Sequence, residues 1–133
     1  MKKGQVNIKV GMVAELSATV TEDKTAKQMG SGKSLVLATP ALVALMEAAA
    51  QEVLDAHMPD DWESVGTGVN LTHGVMTPVG AQVRVKAEVV GIAGKTVEFE
   101  VCAWDDQGEI GRGWHQRMLA KSKTFERMLR KRA

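Results

Sequence analysis

Residues 39–57 read TPALVALMEAAAQEVLDAH, and the architecture of the whole chain turns on how this run is interpreted. Leu42, Leu45, Met46, Ala49 and Val53 fall on one face at a period of 3.6, which predicts a helix over 39–57. Thr39 suits the N-cap, and Pro40 suits the first helical position, where a missing N–H costs nothing. The first three turns, ALVALMEAAA, carry a single charge, Glu47. A helix this apolar needs other structure around most of its circumference. Pro59 and the acidic pair Asp60 and Asp61 follow its end.

The remaining elements read as strands. Residues 12–20 are apolar and β-branched, and residues 65–73 form a second candidate. Val83, Val85, Ala87 and Val89 alternate with Arg84, Lys86 and Glu88, so one face is packed and the other wet. Val97, Phe99, Val101 and Ala103 resume the alternation after a turn at 91–95, and DDQG at 105–108 leads into a strand over 109–120. The polar stretch TEDKTAKQMGSGKS at 21–34 reads as a long exposed loop, and 21–37 as a whole as a flap over a site. Residues 122–133 suit a short C-terminal helix through Phe125, Met128 and Leu129. A long antiparallel sheet needs its apolar face covered, and only the one apolar helix can cover it. The expected class is therefore α+β with the hot-dog architecture, a sheet wrapped around one central helix. Its sheet edges and apolar rims suit a homodimer.

A length of 133 residues, 44% hydrophobic and 25% charged, fits one soluble domain spanning 1–133. The net charge of +1 argues against a polyanionic partner, and the basic cluster Arg127, Arg130, Lys131 and Arg132 reads as a solvated helix end. Neither nucleic acid nor membrane is an expected partner. Residues 1–10 hold three lysines with no long apolar run behind them, so neither a signal peptide nor a membrane span is read there. The single cysteine, Cys102, makes no internal disulfide and fits a reducing, cytoplasmic setting. Phosphate loop, nucleophile elbow, paired cysteines and metal-ligand spacing are all missing, so no metal is expected.

Three histidines are candidates for acid–base work near neutral pH. His57 lies at the helix C-terminus, where capping explains it. His115 neighbours Trp114 and Arg117 in a strand, and both packing and substrate contact are open to it. His73, flanked by Thr72 and Gly74 at a strand end, can reach a cleft. Glu47 lies at the margin of the packed stripe, where burial is costly without a partner; a salt bridge and a tuned catalytic carboxylate both fit. Thr39 can cap the helix, and the same helix start offers free N–H groups to an oxyanion. Eight residues of regular helix separate Thr39 from Glu47 by roughly 12 Å, so the two cannot touch directly.

ATP and LMEAA within 38–50, VGTGVNLTH at 65–73 and EIGRGWHQR at 109–117 resemble the fluoroacetyl-CoA thioesterase-like family of hot-dog enzymes. That family's catalytic set is a threonine, a glutamate eight positions on, and a histidine 26 positions beyond it. Thr39, Glu47 and His73 match both spacings. The resemblance implies hydrolysis of a short acyl-CoA to free acid and coenzyme A, with no cofactor beyond the coenzyme A of the substrate. It implies that His73 acts on water, that Glu47 supports that water or attacks the carbonyl, and that Thr39 polarises the substrate. Gly66 matches a glycine that lets the thioester approach the backbone, and Arg117 an arginine near the ligand. The likeness is weakest over 21–37, where the fluoroacetyl-specific enzyme uses phenylalanines as a lid. This chain has no phenylalanine before Phe99, so the aromatic gate is not inherited. The alternatives are a non-catalytic acyl-CoA-binding hot-dog module, which needs no general base, and a dehydratase acting on a hydroxyacyl thioester.

Overall fold

The computed structural model describes residues 5–133; residues 1–4, the start of the stretch read as lacking an apolar leader, lie outside them. Five strands form one antiparallel sheet in the order β1-β3-β4-β5-β2: β1 Val13–Thr19, β2 Trp62–His73, β3 Gln82–Ala93, β4 Thr96–Asp105 and β5 Gly108–Lys121. Three helices accompany them: α1 Ala26–Met29, α2 Thr39–Asp55 and α3 Ser122–Arg132. The alternation in the sequence is realised in the sheet register. Val85 faces Ala103, Ala87 faces Val101 and Val89 faces Phe99, all buried on the side that α2 covers. From the helix, Leu42, Met46, Ala49, Ala50, Val53 and Leu54 complete this core. Burying a residue such as Leu42 stabilises the fold by about 1.5–3 kcal/mol. The sheet wrapped on one apolar helix is the expected hot-dog architecture.

Two local readings change. Thr39 does not cap α2. The N-cap is Ala38, whose carbonyl accepts the first intrahelical bond from Leu42 N–H, and Thr39 is already helical, which frees its hydroxyl for another partner. Residues 21–34 are not an open loop. A 3-10 turn at Glu22–Lys24 runs into α1, which Thr25 caps by accepting from Gln28 N–H and Gly30 closes in the left-handed region at φ 74. The expected C-terminal helix forms as α3, with Phe125 buried and Met128 and Leu129 exposed.

In a single chain α2 is covered on one side only, and Ala44 and Ala48 face outward. The sheet has two edges, β1 and β2, and Val65 and Val69 of β2 are exposed. Among the described residues no helix is long and apolar enough to cross a membrane.

Candidate active site

The start of α2 and the end of β2 meet over β5. His73 pairs with Gly111, and a Cβ at Gly111 would come within 2.8 Å of the Thr72 carbonyl and 3.4 Å of the Leu42 side chain. Glycine there lets the first helical turn press onto the sheet. Thr39 consequently reaches His73, with Oγ1 2.8 Å from Nδ1. The other ring nitrogen, Nε2, is buried and has no hydrogen-bond partner among the described residues. Burial lowers the His73 pKa, with the Val75 backbone acting weakly in the other direction, so the neutral ring is favoured. Thr39 and His73 line a cavity of about 210 Å³ together with the apolar side chains of Ala26, Val36, Val75 and Met76.

The second group lies two turns further along α2. Glu47 faces Arg117 of β5, with Oε2 3.5 Å from Nη1. Arg117 is 5% exposed, and Nε donates to Ser64 Oγ at 2.9 Å while Nη2 donates to the Ser64 carbonyl at 3.2 Å. Nη1 also lies 3.2 Å from His115 Nε2, and His115 Nδ1 lies 2.9 Å from the Gly68 carbonyl. Burial pulls the Arg117 guanidinium down from its ordinary pKa, opposed by the charges of Glu47 and Asp55. Gly66 borders this cluster. Any Cβ there would collide with the Glu47 carboxylate and stand 3.2 Å from His115 Cε1 and 3.4 Å from Arg117 Nη1.

The five residues singled out in the sequence therefore form two groups. Thr39 joins His73, and Glu47 joins Gly66 and Arg117. Because α2 is continuous from Thr39 to Asp55, the two groups stay roughly 12 Å apart along its axis within one chain. A sequence profile described as fluoroacetyl-CoA-specific thioesterase matches residues 20–123. The chain belongs to this family. The fluoroacetyl-CoA thioesterase of Streptantibioticus cattleyicolor is 34% identical over 95 residues, which is 71% of this chain and 68% of that protein. A solved structure of the fluoroacetyl-CoA thioesterase FlK superposes with a TM-score of 0.87 at 28% identity, covering 96% of this chain and 98% of the other. A Thermus thermophilus hypothetical protein, a thioesterase superfamily member, gives a TM-score of 0.86 at 26% identity over 94% and 93% of the two chains. The protein is a thioester hydrolase of the hot-dog type.

The remaining candidates sort by position. His57 follows the C-cap residue Ala56, and its backbone carbonyl accepts from Asn7 N–H. It stands at the far end of α2 from His73. Cys102 lies on the sheet face away from α2, and burial raises its thiol pKa, which disfavours a thiolate. Ser64, which holds Arg117 twice, escapes sequence reasoning. Its signal is the period of two that puts Ser64 and Gly66 on one face of β2, opposite Arg117 in the register. Among the described residues no group of three His, Cys, Asp or Glu is placed to hold a metal ion.

Proposed function

We propose that this chain hydrolyses short aliphatic acyl-CoA thioesters in the cytoplasm as a homodimer, with Thr39, Glu47 and His73 around the reacting carbonyl and no cofactor beyond the substrate's own coenzyme A. The observation that carries this reading is the Thr39–His73 contact of 2.8 Å, with the opposite ring nitrogen buried and vacant. With the Nδ1 proton donated to Thr39 Oγ1, Nε2 is a free lone pair able to take a proton from water. The Thr39 hydroxyl still has its own hydrogen to offer the thioester oxygen. Attack of water gives a tetrahedral intermediate, which collapses by breaking the C–S bond and releasing coenzyme A as thiolate. The cavity beside His73 is walled by Ala26, Val36, Val75 and Met76 without an aromatic ring, which favours a small aliphatic acyl group over one held beneath an aromatic lid.

The dimer follows from Glu47. In one chain it stands too far from His73 to share a substrate, whereas the free edge of β2 offers a route to a second copy. If β2 pairs antiparallel with itself about a point between Val69 and Asn70, His73 of one protomer falls opposite the Gly66 region of its partner, and so beside the partner's Glu47 and Arg117. The exposed Val65 and Val69 would be covered by that contact.

The test is release of free thiol from a panel of acyl-CoAs by the parent protein, His73→Ala and Glu47→Ala. The parent is expected to turn over short acyl chains, and His73→Ala to lose at least about 10²-fold in kcat, the scale of a lost general base. Full turnover by His73→Ala removes that residue from the reaction. Tight coenzyme A binding without turnover of any substrate would make the protein a binding module. Single-turnover hydrolysis in ¹⁸O-water separates the two roles open to Glu47. Label on the protein means attack by the carboxylate with the resulting anhydride opened at the glutamyl carbon. Label in the product alone leaves water attack or an anhydride opened at the acyl carbon, and trapping with hydroxylamine, which leaves a hydroxamate only from an anhydride, separates these.

A further inference from the structure

The imidazole of His115 is enclosed, 2% exposed, and stacked on Phe99 with ring centroids 6.1 Å apart and planes at 28°. Its two nitrogens meet opposite chemistry. The Gly68 carbonyl can only accept, so Nδ1 must carry the proton. The Arg117 guanidinium can only donate, so Nε2 must present a lone pair. One neutral tautomer satisfies both, and burial above all disfavours the imidazolium, outweighing the pull of the Gly68 carbonyl, with the Arg117 charge adding to it and Glu47 opposing. The carbonyl that anchors the ring belongs to the irregularity of β2 between Gly66 and Gly68. The ring therefore ties that stretch of β2 to the guanidinium two residues along β5.

Of the five N–H groups of Arg117, that on Nε and one on Nη2 are held by Ser64. Nη1 is the nitrogen that reaches Glu47, and His115 Nε2 is the acceptor that shares it. The contact with Glu47 is long at 3.5 Å, and the Glu47 side chain is 42% exposed, so this carboxylate does little to hold the arginine. We propose that His115 is a positioning residue of the thioesterase site, holding Arg117 in the one orientation from which its guanidinium reaches Glu47. The proposal rests on the reading that Glu47 and Arg117 serve the reaction. His115 touches neither substrate nor reacting atoms; it acts through Arg117.

Two amide substitutions separate the two ends of the ring. His115→Gln can place an amide oxygen near the Nε2 position and keep an acceptor for Arg117. His115→Asn can place an amide N–H near Nδ1, keeping the bond to Gly68 but offering Arg117 nothing. His115→Asn is expected to lower kcat about 10- to 100-fold, the cost of a buried donor left unpaired, and His115→Gln to retain most of it. In an Arg117→Met background the Asn substitution should cost nothing further, because the group it positions is gone. Equal losses in Asn and Gln, or losses that multiply in the double variant, overturn the proposal. His73→Ala, assayed alongside, keeps the two readings apart. If it is inactive while His115→Asn matches the parent, only the positioning role fails; if it is fully active, the site itself is wrongly read. The unsubstituted protein gives a check independent of folding: ¹⁵N NMR at neutral pH should find His115 with a proton on Nδ1 and a bare Nε2. The reverse tautomer, or an imidazolium, overturns the proposal.

Discussion

His73 and His115 illustrate how burial assigns different tasks to one side chain. His115 has both ring nitrogens occupied by protein groups, whereas His73 has one held by Thr39 and one left vacant. Both pKa values are lowered, which places the acid limb of activity below the ordinary imidazole value of about 6.5. A kcat/KM profile whose acid midpoint lies at or above that value would contradict the lowering of the His73 pKa by burial. The same shifts act on stability. Unfolded imidazoles take up protons near pH 6.5 and the folded ones only lower, so stability is full above 6.5 and falls as pH drops through the folded values. Urea midpoints that are unchanged between neutral and mildly acidic pH would contradict this sign. Thr39 supplies a further test, since its hydroxyl serves His73 and not the helix end. Thr39→Val should lower kcat about tenfold or more while costing less than the ~1 kcal/mol of a lost N-cap, whereas Thr39→Ser should keep activity. The spacing of Thr39, Glu47 and His73 was legible in the chain. The Thr39–His73 bond was not, because capping and catalysis ask for the same residue at the same position, and only the placement of Ala38 at the N-cap separates them.

Among the elements, α2, β3 and β4 were the most legible, because each presents an unbroken period of 3.6 or 2 over many residues. The ordered turn and α1 within 21–34 were hidden by polarity. Their signals, Thr25 three residues before Gln28 and Gly30 just after the helix, are short-range and easily lost among other polar residues. The pairing of β2 with β5 depends on closeness that only glycine permits. A Cβ at Gly113 would lie 2.6 Å from Leu71 Cα and overlap the Asn70 carbonyl. Gly113→Ala should therefore destabilise by about 1–3 kcal/mol in urea unfolding, since rigid backbone, not a flexible side chain, must move. Gly66→Ala meets side chains instead, so its cost should fall on the Glu47–Arg117 geometry. A loss of kcat with little loss of stability is expected, and the reverse pattern would place Gly66 among the structural glycines.

For the whole molecule, the separation of Glu47 from His73 makes subunit mixing decisive. His73→Ala and Glu47→Ala should each be inactive alone. After unfolding and refolding together, half of random dimers are mixed, and each mixed dimer holds one intact composite site. About a quarter of parental activity should then return. No recovery, with mixed dimers shown to be present, would place the reaction within single chains. Sedimentation should give twice the chain mass of 14.3 kDa.

The periodicity of the chain determined a curled antiparallel sheet on one apolar helix, because hydrophobic spacing is a local property that survives without knowledge of neighbours. Residue spacing and family likeness together also singled out Thr39, Glu47, His73, Gly66 and Arg117 as candidates. What tertiary structure alone decided was their division into two groups. A regular helix keeps Thr39 and Glu47 apart, sheet register delivers His73 to one and Arg117 to the other, and the ring of His115 gains its partners only when the irregular stretch of β2 lies against β5.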